Sequence, residues 1–251
     1  MVIEKFKKMA NNRYKIIFDN SELITYDEVI INNNLLYKKE IDNDLYEKIL
    51  EENKYYDLYN KCIKLISNKM RSVEEIIKYL KKEDTSSKDI ESIITKLTNI
   101  GLLNDSRYTK AYVSDKIKFT SAGPYKIEKE LIDLGIDENI IKKELTNISL
   151  EEIRNKISKY INMKLRKNKY SEYIFKQKVI NELINLGYSR DIILEELESI
   201  HIESNITKDY NKLYNKLSKK YDDKELYINI KNKLYQKGYT KEEIDQVKKM
   251  D

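Results

Sequence analysis

One proline, one cysteine, one histidine, five glycines and no tryptophan in 251 residues leave out most of what irregular structure and catalysis require. A single cysteine, Cys62, excludes an internal disulfide and a thiolate metal site. Its helical spacing from Leu58, Leu65 and Ile66 marks it as core. The lone histidine, His201, has no cysteine cluster to partner it, so a surface position is expected rather than a base or metal ligand. None of the glycines stands in a GxxxxGK arrangement, which excludes nucleotide hydrolysis by a phosphate loop. No run of eighteen apolar residues exists, and the charged stretch from Met1 to Lys15 lacks the apolar core of a secretory signal. A soluble, cytoplasmic protein with no membrane association is expected. Carboxylates are plentiful, but Glu74, Glu75, Glu151, Glu152, Glu242 and Glu243 fall in first helical turns, where they complement the helix dipole. The expectation is a non-enzyme with no catalytic residue, no metal and no cofactor.

What is present is a rhythm. Ile76 and Leu80, Ile127 and Leu131, Val179 and Leu183, and Ile230 and Leu234 repeat one helical phrase, with the leucines 51, 52 and 51 residues apart. Gly135, Gly187 and Gly238 each follow the last three leucines by four positions. A fixed period carrying an apolar pair and a helix-ending glycine signals tandem helical units that need their neighbours to bury an apolar face. The 36% charged, nearly proline-free composition agrees with long helices.

The predicted fold is all-α: an elongated array of four tandem three-helix repeats preceded by a small β-hairpin module. The module occupies residues 1–53. Tyr14–Phe18 and Leu23–Tyr26 flank a polar turn and read as the hairpin. The stretch from Tyr26 to Leu36 is ambiguous between strand and helix, and Ile41 to Glu52 reads as a helix. Repeat 1 (54–103) opens with a helix from Tyr55 to about Met70. Ser72 and Glu75 form a capping box for the second helix, and a third ends at Gly101. Repeat 2 (104–148) begins at Asp105 and turns at Gly123 and Pro124, a proline tolerated at a first helical position. Repeat 3 (149–203) and repeat 4 (204–251) continue the pattern, the last closing with a short helix from Thr240.

Local charge says more than the net +5. That net charge allows a polyanionic partner, yet heavy use of Ile, Asn, Lys and Tyr also fits the drift of an AT-rich genome. From Arg154 to Asn181, however, nine basic residues (Arg154, Lys156, Lys159, Lys164, Arg166, Lys167, Lys169, Lys176 and Lys178) face one acid, Glu172. Tyr160, Tyr170, Tyr173 and Phe175 are interleaved with them, a combination suited to stacking on bases and pairing with phosphates. The alternative is that the aromatics are core and the lysines a solvated face. Lys164, Arg166, Lys167 and Lys169 cluster at a predicted inter-helix turn, where long side chains can converge on one ligand. The acidic stretch that follows, with Asp191, Glu195, Glu196, Glu198 and Glu203, would make an alternating surface equally able to meet a charged protein.

Three motifs in order carry a resemblance: Met70-Arg71-Ser72 through Leu80; Leu97 through Gly101, Asp105, Tyr108, Ala111 and Val113; and Gly123-Pro124 through Ile127, Leu131, Gly135 and Ile136. Over about Tyr55 to Leu197 the sequence resembles the RecX regulatory proteins of bacteria, and the amino-terminal hairpin resembles the extension of the longer Gram-positive members. The resemblance implies a tandem three-helix fold and a modulator of RecA. Such a protein would bind the RecA filament on single-stranded DNA, with double-stranded DNA as a further ligand, and most plausibly inhibit ATPase, strand exchange and filament growth. By that analogy the interaction surface comprises Lys69, Arg71, Arg107, Lys116, Lys118 and Lys126 together with the Arg154 to Lys178 block, on a monomer. For Arg71 and Asp105, pairing or capping within the repeat is the competing expectation. A helical-repeat nucleic-acid binder, or a protein scaffold, acting without RecA remains the alternative.

Overall fold

A computed structural model describes residues 1–248. Three strands, β1 (Ile3–Lys8), β2 (Arg13–Phe18) and β3 (Glu22–Tyr26), form an antiparallel sheet in the order β1-β2-β3. The predicted hairpin is β2 and β3, with Tyr14 opposite Thr25 and Ile16 opposite Leu23. Strand β1 escapes sequence reading because a bulge between Ile3 and Lys5 breaks its alternation. Its apolar residues Ile3 and Phe6 therefore stand three apart, both partly buried.

The ambiguous stretch resolves as a short helix, α1 (Asp27–Asn32), and a 3-10 turn (Leu35–Tyr37). Asp27 favours the helix by accepting the Glu28 N–H at 3.0 Å. Next comes α2 (Asn43–Asn68), one continuous helix of 26 residues. It replaces the two helices read from sequence, and the expected boundary at 53/54 falls inside it. The polar run Glu51-Glu52-Asn53-Lys54 at that boundary holds a docking seam. Buried Asn53 donates to the Ile24 carbonyl at 3.1 Å and accepts from the Thr25 hydroxyl at 2.8 Å, tying α2 to β3.

Four helical triplets follow in chain order. They are α2 with α3 (Val73–Lys82) and α4 (Ser87–Asn99); α5 (Asp105–Phe119) with α6 (Pro124–Asp133) and α7 (Glu138–Leu145); α8 (Leu150–Leu165) with α9 (Glu172–Asn185) and α10 (Arg190–Glu198); and α11 (Ile206–Leu217) with α12 (Asp223–Gln236) and α13 (Lys241–Lys248). Residues 249–251 of the expected fourth repeat lie outside the described residues. Leu80, Leu131, Leu183 and Leu234 are each 0% exposed on the middle helix of their triplet. The predicted equivalence of these four positions therefore holds. The chain divides into two compact units: Met1–Tyr108 with Leu134–Ile136, and Thr109–Asp133 with the chain from Asp137 onward.

The period has a second cause besides burial. Within the first unit, the Ser72 hydroxyl at the start of α3 donates to the Leu134 carbonyl at 2.9 Å, and the Glu74 side chain lies against Gly135. Within the second, Gly123 N–H donates to the Leu186 carbonyl at 2.6 Å, and Ser171 N–H to that of Lys237 at 2.9 Å. Each joint thus sets the start of one middle helix on the left-handed turn ending the next. A Cβ on Gly187 would come within 2.3 Å of the Lys126 backbone nitrogen, so a side chain is excluded there twice, by space and by φ of +88°. In the first triplet the same turn position is Asp84, also left-handed at φ +52°. No earlier middle helix docks on it, and the glycine is dispensable.

Candidate functional site

Capping places most of the predicted cations. Ser149 accepts the Glu152 N–H at 3.1 Å to start α8, and Ser171 caps α9; between them runs the turn from Arg166 to Tyr170. Asn168 holds that turn by accepting the Tyr170 N–H at 3.0 Å and donating to its carbonyl at 2.8 Å. Arg166, Lys167 and Lys169 are exposed on it, with no ion pair among the described residues. Lys178 reaches back from α9 to lie 3.7 Å from the Tyr170 ring centroid, and its ammonium holds that phenol below its ordinary range. Of the interleaved aromatics, Tyr170 and Tyr173 are exposed, whereas Phe175 is core and Tyr160 is partly buried.

Lys164 does not belong with the free cations of the turn. Its Nζ lies 2.7 Å from Glu182 Oε2, which also accepts the Tyr160 hydroxyl at 2.9 Å. The second triplet builds the same trio: Lys116 Nζ lies 2.7 Å from Glu130, and the Tyr112 hydroxyl donates to that carboxylate at 2.8 Å. In both, Tyr and Lys four apart on the first helix clasp a Glu immediately before the buried leucine of the middle helix. Lys164 holds the Glu182 carboxyl below its ordinary value, and Glu182 raises Lys164 in return. Arg154 is likewise neutralised, by Glu196 at 2.8 Å and by Glu195, so part of the acidic stretch serves within its own triplet. Lys176 pairs with Glu172 at 2.6 Å.

A second group of cations lines a groove of about 310 Å³ between the end of α5, the following turn and α8. Its walls include Lys118, Thr120, Ser121, Lys156, Lys159 and Met163, with no carboxylate among them. Lys156, Lys159 and Met163 share one face of α8 because they recur at three and four residues. The Lys156 ammonium donates to the Thr120 carbonyl at 2.6 Å; burial, helped by the charge of Lys159, outweighs the nearby Glu152 carboxylate and holds it below its ordinary range. Sequence reading missed Phe119, which is 80% exposed beside Lys118. The available signal was its phase, since the buried positions of α5 recur as Thr109, Val113 and Ile117. Lys126, on α6, is exposed.

In the first unit, Lys69 is exposed just past α2. Arg71 pairs with Glu75 at 2.8 Å. Burial would raise the Glu75 carboxyl, but the Ser72 N–H and Arg71 outweigh it and the net shift is downward. Asp105 accepts the Val73 N–H at 2.9 Å, a bridge between helices that serves the fold, and its carboxyl is raised chiefly by burial. Arg107 is exposed, its guanidinium 3.4 Å from the Gly101 carbonyl. His201 is exposed. Among the described residues no cluster of His, Cys, Asp and Glu could hold a metal, and no helix is long and apolar enough to cross a membrane.

The sequence matches known proteins over nearly the whole chain. The chain is 34% identical to a regulatory protein RecX of Streptococcus agalactiae over 96% of its own length and 95% of that protein's. The chain belongs to the RecX family. A regulatory protein RecX of Halalkalibacterium halodurans is 31% identical, with 95% of both chains covered. Family models for the first and second RecX three-helix domains match residues 59–97 and 104–145. A crystal structure of regulatory protein RecX superposes with a TM-score of 0.69 at 26% identity, over 77% of this chain and 98% of that one. RecX from Lactobacillus salivarius gives 0.55 at 27% identity, over 58% and 97%. The matched domains are the triplets built on Leu80 and Leu131, so the protein is a RecX-type regulator.

Proposed function

We propose that this RecX protein binds the RecA filament assembled on single-stranded DNA and inhibits its ATPase, strand exchange and growth. The near full-length similarity to regulatory RecX proteins carries the reading. The cations without carboxylate partners supply its physics: Arg166, Lys167, Lys169 and Lys178 at the α8–α9 turn, and Lys118 and Lys159 in the groove, face the polyanion. Lys69, Arg107 and Lys126 add exposed positive charge. Linked weak contacts along successive triplets give avidity for a polymeric partner that no single contact would. The protein acts as a monomer by binding, with no turnover of its own.

The test is RecA-dependent ATP hydrolysis on single-stranded DNA with and without the purified protein. Hydrolysis should fall as the protein is added. An unchanged rate at saturating protein, with DNA binding intact, would favour the reading in which the triplets bind nucleic acid without RecA. The exposed aromatics beside free lysines are what keeps that second reading in play.

A further inference from the structure

The groove between α5 and α8 combines two features that packing alone does not require. Its lining carries three lysines and no acid, and no ion pair to Lys118, Lys156 or Lys159 forms among the described residues. At its rim, Phe119 sits in the chain between Lys118 and Thr120, both lining residues, and leaves 80% of its surface in water. Tyr125, 61% exposed, follows across the same short turn. The turn is built to stay in place: Lys156 ties down the Thr120 carbonyl at 2.6 Å, the Thr120 hydroxyl accepts the Ala122 N–H at 3.1 Å, and Gly123 is locked on Leu186. An exposed ring carried at the edge of a hydrogen-bonded turn, beside cations without ion-pair partners, meets the two demands of an unpaired nucleotide, a flat apolar face for the base and positive charge for the phosphate. A duplex keeps its base faces stacked on one another and offers none to Phe119.

We propose that this groove is a single-stranded nucleic-acid subsite in which Phe119 stacks on a base while Lys118 and Lys159 pair with the neighbouring phosphates. The proposal rests on the reading that the chain binds single-stranded DNA, and adds where the strand is held and by what. Lys156 is a positioning residue, fixing the turn that presents Phe119.

The chain contains no tryptophan, so Phe119→Trp creates a single emission reporter at the proposed stacking position. Titration with a short oligothymidylate at low salt should quench that emission saturably, in parallel with the anisotropy of a labelled oligonucleotide. Phe119→Ala should bind about tenfold more weakly, the fold-change of one lost stacked base. Unaltered circular dichroism is expected, because the ring is exposed. Changing Lys118 and Lys159 together to Gln should flatten the slope of log affinity against log salt by roughly 1.4. If anisotropy reports a complex while the tryptophan emission stays constant, DNA binds elsewhere and the subsite is wrong. If the wild type shows no anisotropy change at low salt, the DNA reading itself fails. Full DNA affinity in Phe119→Ala with loss of its effect on RecA would assign the groove to a protein surface instead.

Discussion

Lys116 and Lys164 look like partner-facing cations in the sequence because the acids that neutralise them lie 14 and 18 residues away on another helix, beyond any local pattern. Only the packing of first against middle helix brings Glu130 and Glu182 beneath them. The pairing sets a pH dependence. Lys164 first, then Tyr160, holds the folded Glu182 carboxyl below the ordinary 4.5. A depressed carboxylate stabilises the fold above the unfolded value, and that contribution disappears as pH falls through the folded value. Glu182→Gln should therefore cost roughly 0.2–1 kcal/mol at pH 7, a modest figure because the pair is partly exposed. Below pH 4.5 the gap to wild type should close. Urea titrations at the two pH values check this, and a gap independent of pH would mean that the clasp acts through packing alone. Cys62, by contrast, was legible as core: it is 0% exposed, and burial pushes its thiol up to about 11, leaving it inert at neutral pH.

Among the elements, helices were readable and their joints were not. Apolar periodicity marks each triplet and capping serines start helices of the first and third, and the capping box of Ser72 and Glu75 forms as expected, with Glu75 N–H on the serine at 3.1 Å and Glu75 accepting the Ser72 N–H at 2.9 Å. Strand β1 and the continuity of α2 were hidden by a bulge and by a polar seam, since both interrupt the period on which such reading depends. The glycines were read as caps only, whereas three of them also admit a neighbouring helix. That double role predicts an ordering. Gly101 has φ of +73° and nothing within 4 Å of a built Cβ, so Gly101→Ala should cost roughly 1–2 kcal/mol of left-handed strain. Gly187→Ala adds a collision with the Lys126 backbone and should cost roughly 2–5 kcal/mol in all. Thermal melts of the two variants test it; equal losses would show that the joint tolerates a side chain.

For the molecule as a whole, the four-leucine period and the motif order disclosed the repeat fold and the family, but the recognition surface was legible only as a block of charge. Five of the fifteen predicted cations, Arg71, Lys116, Arg154, Lys164 and Lys176, are held in ion pairs within their own triplets. Charge already engaged in this way releases few counterions on binding, so the affinity for a polyanion should come from the remainder. This revises the design of a surface variant. Converting Lys164 to Glu would set two carboxylates together at Glu182 and confound binding with stability, whereas Arg166, Lys167 and Lys169 have no such partner. A triple change of these three to Glu should preserve helical signal and melting temperature, because exposed unpaired lysines and arginines contribute little to the fold. The same protein should lose most single-stranded DNA affinity, with the log–log salt slope reduced by roughly 2, and much of its effect on RecA-dependent ATP hydrolysis. If the variant inhibits RecA as well as wild type at physiological salt, the α8–α9 turn is a solvated face. The regulatory contact would then fall to the exposed cations elsewhere, Lys69 and Arg107 in the first unit and Lys118, Lys126 and Lys159 in the second.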